Sequence, residues 1–100
     1  MAKVGITFGR AVDGFKSVYA GVPSVNENFT SSASSQRTTG TVPQIPDCVA
    51  RITTSGGPIW VATGSDTPTA VAGTGYLLAD GGTLDLGFLQ VGWKVAIIDA

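Results

Sequence analysis

One hundred residues suffice for one domain, and so short a chain buries a smaller share of its surface than a longer one, which makes further burial between subunits a serious expectation. Charged residues are only 13% of the chain against 43% hydrophobic, roughly half the ~25% charged fraction usual in soluble domains, and the net charge is −1. No basic run is present to neutralise phosphates and no window approaches the ~18 apolar residues of a membrane helix, so neither nucleic acid nor a membrane is an expected partner.

In chain order, Val4, Ile6 and Phe8 alternate with Lys3, Gly5 and Thr7, the period-two pattern of a half-buried strand. Gly9 to Gly14 reads as a turn, and Phe15 to Val22 as a second strand with both faces partly covered, stopped by Pro23. From Val25 to Thr41 the chain turns polar, with eight Ser or Thr in the twelve residues from Thr30 to Thr41. That segment reads either as a flexible linker or as an extended arm whose hydroxyls pair with a neighbouring chain's backbone; the apolar Phe29 at its start favours the arm. Pro43 and Pro46 then hold the chain extended, marking a boundary between an N-terminal part (1–46), expected to be peripheral, and a β core (47–100) within one domain.

Two β-branched runs, Val49 to Thr54 and Ile59 to Thr63, flank Ser55-Gly56-Gly57-Pro58, which is the pattern of a hairpin closed by a short glycine loop. Gly64 to Pro68 is a turn-rich loop, Tyr76-Leu77-Leu78 a short strand, and Thr83 to Leu89 a strand rather than a helix, because Gly87 would cost a helix interior about 1 kcal/mol. Val91-Gly92-Trp93 turns into a last strand, Lys94 to Ile98. Strands spaced this closely, with no amphipathic helix, predict an all-β domain: an antiparallel β-sandwich or a jelly-roll or barrel-like fold with an extended N-terminal arm. The expected core is Val49 or Ala50, Ile52, Trp60, Ala62, Leu77, Leu84, Leu86, Phe88, Val95 and Ile97.

Catalytic motifs are hard to find. The chain has no histidine, which excludes Ser-His-Asp and Cys-His catalysis and imidazole metal sites. The single cysteine, Cys48, excludes an internal disulfide and reads as a small buried apolar residue. Asp80 and Asp85 need not converge as a glycosidase pair, Asp66 and Asp80 lack the spacing of a calcium loop, and the paired glycines lack the Lys-Ser/Thr of a phosphate loop. Asn28-Phe29-Thr30 fits a glycosylation sequon but follows no secretory signal, so cytoplasmic synthesis is expected and the match is read as chance. Neither a catalytic residue nor a metal or cofactor site is expected. Trp60 reads as core or interface, and Trp93, after Gly92, as an interface anchor.

The segments Val49-Ala50-Arg51-Ile52, Trp60-Val61-Ala62-Thr63-Gly64, Asp66-Thr67-Pro68-Thr69-Ala70, Tyr76-Leu77-Leu78-Ala79 and Val91-Gly92-Trp93-Lys94-Val95-Ala96-Ile97-Ile98 together resemble small β-rich virion proteins of tailed bacteriophages, of the capsid decoration or cement type. The resemblance covers about half the chain. It implies a non-enzymatic structural protein on the capsid exterior, made in the host cytoplasm, that self-associates, often as a trimer, and bridges subunits of the major capsid protein. Tyr19, Phe29, Arg37 and Trp93 are the candidate interface residues on that reading, with no small-molecule substrate. The alternative is a carbohydrate- or receptor-binding module of a phage tail or spike, in which Trp60, Tyr76 or Trp93 would stack on sugar rings.

Overall fold

The computed structural model describes residues 2–10, 25–42, 48–65, 67–87 and 90–100. The alternating segments form eight strands: β1 (Lys3–Arg10), β2 (Val25–Thr30), β3 (Gln36–Arg37), β4 (Cys48–Ser55), β5 (Ile59–Ser65), β6 (Tyr76–Leu78), β7 (Thr83–Leu86) and β8 (Trp93–Asp99). They lie in two antiparallel four-stranded sheets, ordered β2-β1-β4-β7 and β3-β8-β5-β6. The inward faces of both contribute to one core, so the protein is the all-β sandwich that its strand spacing predicts. The expected turn at Gly9–Gly14 and strand at Phe15–Val22 fall in part or wholly outside the described residues, as does Phe88.

The first strand is central rather than peripheral. β1 runs between β2 and β4, and Val4, Ile6 and Phe8 are buried against Ala50 and Ile52 of β4 and Ile59, Val61, Val95 and Ile97 of the opposite sheet. Strict alternation places these three large side chains on one face, and the hydrophobic gain from covering them drives the sheets together.

The expected hairpin between β4 and β5 does not form. β4 pairs with β1 and β7, whereas β5 pairs with β6 and β8, so the chain passes from one sheet to the other through Ser55 to Pro58. The corner's polar groups find partners outside any two-strand ladder: Gly56 N donates to Asp80 Oδ1 (2.8 Å), Thr54 Oγ1 donates to the Gly57 carbonyl (2.9 Å), and Ala100 N donates to the Pro58 carbonyl (3.2 Å). A glycine loop between two β-branched runs is compatible with either a hairpin or a sheet-crossing corner; pairing elsewhere decides between them.

The polar segment 25–42 is extended, as expected, but its described partners belong to its own chain. It leaves the edge of sheet one as β2 and joins the edge of sheet two as β3, continuing beside β8 through Thr38 N to the Val95 carbonyl (2.9 Å) and Val42 N to the Trp93 carbonyl (2.8 Å). The hydroxyls assigned to a neighbouring chain's backbone serve this one. Ser31 Oγ accepts from Ala2 N (2.7 Å) and donates to the Asp99 carboxylate, Ser35 Oγ accepts from Ala70 N (2.8 Å), and Thr38 Oγ1 accepts from Val95 N (3.2 Å). Glu27 shares the inward register of Ile6, and its carboxylate accepts from Thr39 N (2.9 Å) and Gly40 N (2.8 Å). Ser31 and Thr38 are fully buried, and these bonds supply the partners that buried polar groups require.

Candidate functional site

The outward face of sheet two carries the most distinctive surface chemistry. Residues Arg37, Lys94, Ala96, Ile98, Trp60, Ala62, Gly64 and Leu77 share this face, by register. At one end the face is built small: Ala62 stands opposite Ala96, and Gly64 opposite Lys94. The segment 67–70 settles on these small residues, with Pro68 and Ala70 buried and a Cβ at Gly64 only 3.4 Å from Pro68 Cβ. Arg37 Nε ties the segment down by donating to the Pro68 carbonyl at 3.1 Å.

At the other end no covering segment is seen among the described residues. Leu77, Trp60 and Ile98 form one cross-strand row over β6, β5 and β8. Leu77 is 57% exposed, its edge-strand neighbour Tyr76 is 54% exposed, and Trp60 and Ile98 are half-buried. Three large apolar side chains thus stand together on the sheet's solvent face.

Trp60, Ala62 and Leu77 therefore do not belong to the core as expected; Ile59, Val61 and Leu78 take their places. The reason is that β5 and β6 are apolar on both faces, so alternation alone does not select the inward one. The remaining expected core members fare better. Ala50, Ile52, Val95 and Ile97 are buried, and Leu84 and Leu86 are half-buried and packed on the core.

Of the candidate interface residues, Tyr19 lies outside the described residues. Phe29 stands opposite Val4 and packs on the core, half-buried; Trp93 stands opposite Ser65 and does the same from sheet two. Arg37 alone is on the outward face, where it serves the covering segment. The three do not converge on one patch.

The candidate carboxylates have structural partners. Asp85 pairs with Arg51 through Nε (2.9 Å) and Nη2 (3.3 Å), and Asp80 holds the inter-sheet corner. No group of three or more His, Cys, Asp or Glu placed to hold a metal occurs among the described residues. Cys48 is half-buried and packs on the core, and burial pushes its thiol above its ordinary value. Alkylation at mildly alkaline pH is accordingly expected to be slower for the folded protein than in urea, because little thiolate is present; equal rates would mark an exposed, ordinary thiol.

No protein-family model matches the chain, no curated protein matches it, and no solved structure matches it.

Proposed function

We propose that this protein is a structural virion protein of the capsid decoration type, which docks on the outside of a protein shell and bridges its subunits. The observation that supports this reading is the Leu77–Trp60–Ile98 row. It offers an aromatic flanked by branched aliphatics on the solvent face of a sheet. Aromatic residues over an apolar centre are what recurs at protein–protein contacts, and a sheet holds them with little entropy left to lose. The resemblance of the segments around Trp60, Pro68, Tyr76 and Lys94 to decoration proteins points the same way. On this reading the protein also self-associates, with a trimer favoured, and its partner is the major capsid protein.

The test is cosedimentation of the purified protein with shells of the encoding phage that lack it, alongside light scattering of the protein alone. Binding and self-association at micromolar concentration are expected. Leu77→Asp places a charge in the row at an exposed position that the fold tolerates, and should weaken binding by about tenfold or more, equivalent to ~1.4 kcal/mol. A monomer that stays in the supernatant would overturn the proposal, and full binding by a folded Leu77→Asp variant would remove this face from it.

A further inference from the structure

The outward face of sheet one, on the opposite side of the sandwich, is polar and is laid out in cross-strand rows. Asn26, Thr7, Arg51 and Asp85 stand in register, and this row satisfies itself: Thr7 Oγ1 donates to Asn26 Oδ1 (3.1 Å), and Arg51 pairs with Asp85. The next row is Asn28, Gly5, Thr53 and Thr83, and the one beyond it Thr30, Lys3 and Ser55. In these two rows no side chain makes a hydrogen bond or ion pair among the described residues. The break falls at Gly5. A Cβ there would lie 3.1 Å from Thr53 Oγ1 and 3.5 Å from Asn28 Oδ1, so a hydroxyl and a carboxamide flank a place that the strand leaves vacant.

The result is an open groove of about 460 Å³ over Gly5, edged by Lys3, Asn28, Thr30 and Thr53, with Val4 and Phe29 completing its lining. That volume lies within the ~300–1,000 Å³ of small-ligand sites. Its chemistry is specific in one respect: a single ammonium that only donates stands among two hydroxyls and a carboxamide that both donate and accept, and no carboxylate lines it. A complementary ligand brings one negative charge and several hydroxyls on a compact ring.

We propose that this groove binds a carboxylated sugar residue of the uronate class, its carboxylate on Lys3 and its ring hydroxyls on Asn28, Thr30 and Thr53, with the ring seated over Gly5. The site is separate from the docking row, so its fate is independent of the decoration reading.

Titration of the isotope-labelled protein with sodium glucuronate, followed by amide chemical shifts, tests this. Glucose and acetate serve as controls for the hydroxyls and the charge, and a glucuronate-containing trisaccharide distinguishes a chain-bound from a free sugar. Saturable shifts centred on Lys3, Gly5, Asn28 and Thr53 are expected for glucuronate or the trisaccharide, with glucose and acetate weaker by about fivefold or more. Lys3→Ala should weaken binding about tenfold, the size of effect a charge-assisted bond supports. Gly5→Ala fills the vacancy on unstrained backbone and should abolish binding while the dispersed spectrum persists. No shifts, shifts centred elsewhere, equal binding of acetate, or undiminished binding by folded Gly5→Ala would each overturn the proposal.

Discussion

Phe8→Ala is expected to lower the free energy of unfolding by about 3–5 kcal/mol, the largest loss of any single truncation among the described residues. Phe8 has 0% of its surface exposed and is the largest fully buried side chain among the described residues, on a strand with a neighbour on each side. Removing the ring costs its transfer free energy plus the cavity left between sheets that cannot collapse onto it, because β1 is fixed by ladders to both β2 and β4. Against a total stability of about 5–15 kcal/mol for a domain, a loss of that size uses up a large share, and at ~4–8 °C per kcal/mol for a chain of this length the melting temperature should fall by more than ~10 °C. Urea unfolding followed by tryptophan fluorescence, with far-ultraviolet dichroism as a second probe, measures it. A loss below about 1 kcal/mol would mean that Phe8 does not sit at the centre of the interface between the sheets.

The same strand shows what in this fold is legible from sequence. At Lys3 to Phe8 polar and apolar residues alternate with real contrast, so both the strand and its inward face can be read, and Val4, Ile6 and Phe8 are buried as that pattern requires. At β5 and β6 the contrast vanishes. Ile59, Trp60, Val61 and Ala62 are all apolar, and the face that turns outward is the one whose small members, Ala62 and Gly64, accept the segment 67–70. That choice is made by tertiary packing, which no local pattern encodes. Pairing partners are lost for the same reason: the runs on either side of Gly56-Gly57 look like the arms of a hairpin, yet β1 is the better neighbour for β4 and β8 for β5.

The polar segment illustrates the opposite difficulty. Its hydroxyls and Glu27 do find backbone partners, as their chemistry requires, but composition says nothing about whether the partner chain is a neighbour or the same molecule. The candidate site suffers most. Phe29 and Trp93 carry the apolar bulk expected of anchors and spend it on the core, whereas the outward row is made of Ile98 with Leu77 and Trp60, the latter two expected in the interior. A double-faced apolar strand in a chain so poor in charge was the one available signal of an apolar outer face. The groove over Gly5 had no signal at all, since it depends on the register that aligns Asn28, Gly5 and Thr53.

Gly75→Ala is the second substitution with a large expected cost, and it links that outer surface to the integrity of its sheet. Gly75 has φ +96°, and a Cβ there would lie 2.4 Å from the Val61 carbonyl oxygen and 3.5 Å from the Val61 carbonyl carbon. Val61 pairs with Ile97 on one side and Tyr76 on the other, so its carbonyl belongs to the middle of the sheet and has nowhere to move; β6 must give way instead. The left-handed backbone alone costs an L residue about 1–2 kcal/mol, and displacing a three-residue edge strand adds to it, for a total expected above about 2 kcal/mol. Gly73→Ala separates the two contributions, because Gly73 has φ +88° but no atom within 4 Å of its Cβ position. It should therefore show the backbone cost without the clash. Thermal and urea unfolding of the two variants give the difference directly, and equal losses would show that the Val61 carbonyl is not pressed against Gly75. Because Leu77 rides on β6 beside Trp60, the folded fraction of Gly75→Ala should also bind shells more weakly than that of Gly73→Ala, an outcome expected only if the Leu77–Trp60–Ile98 row needs β6 in its native register.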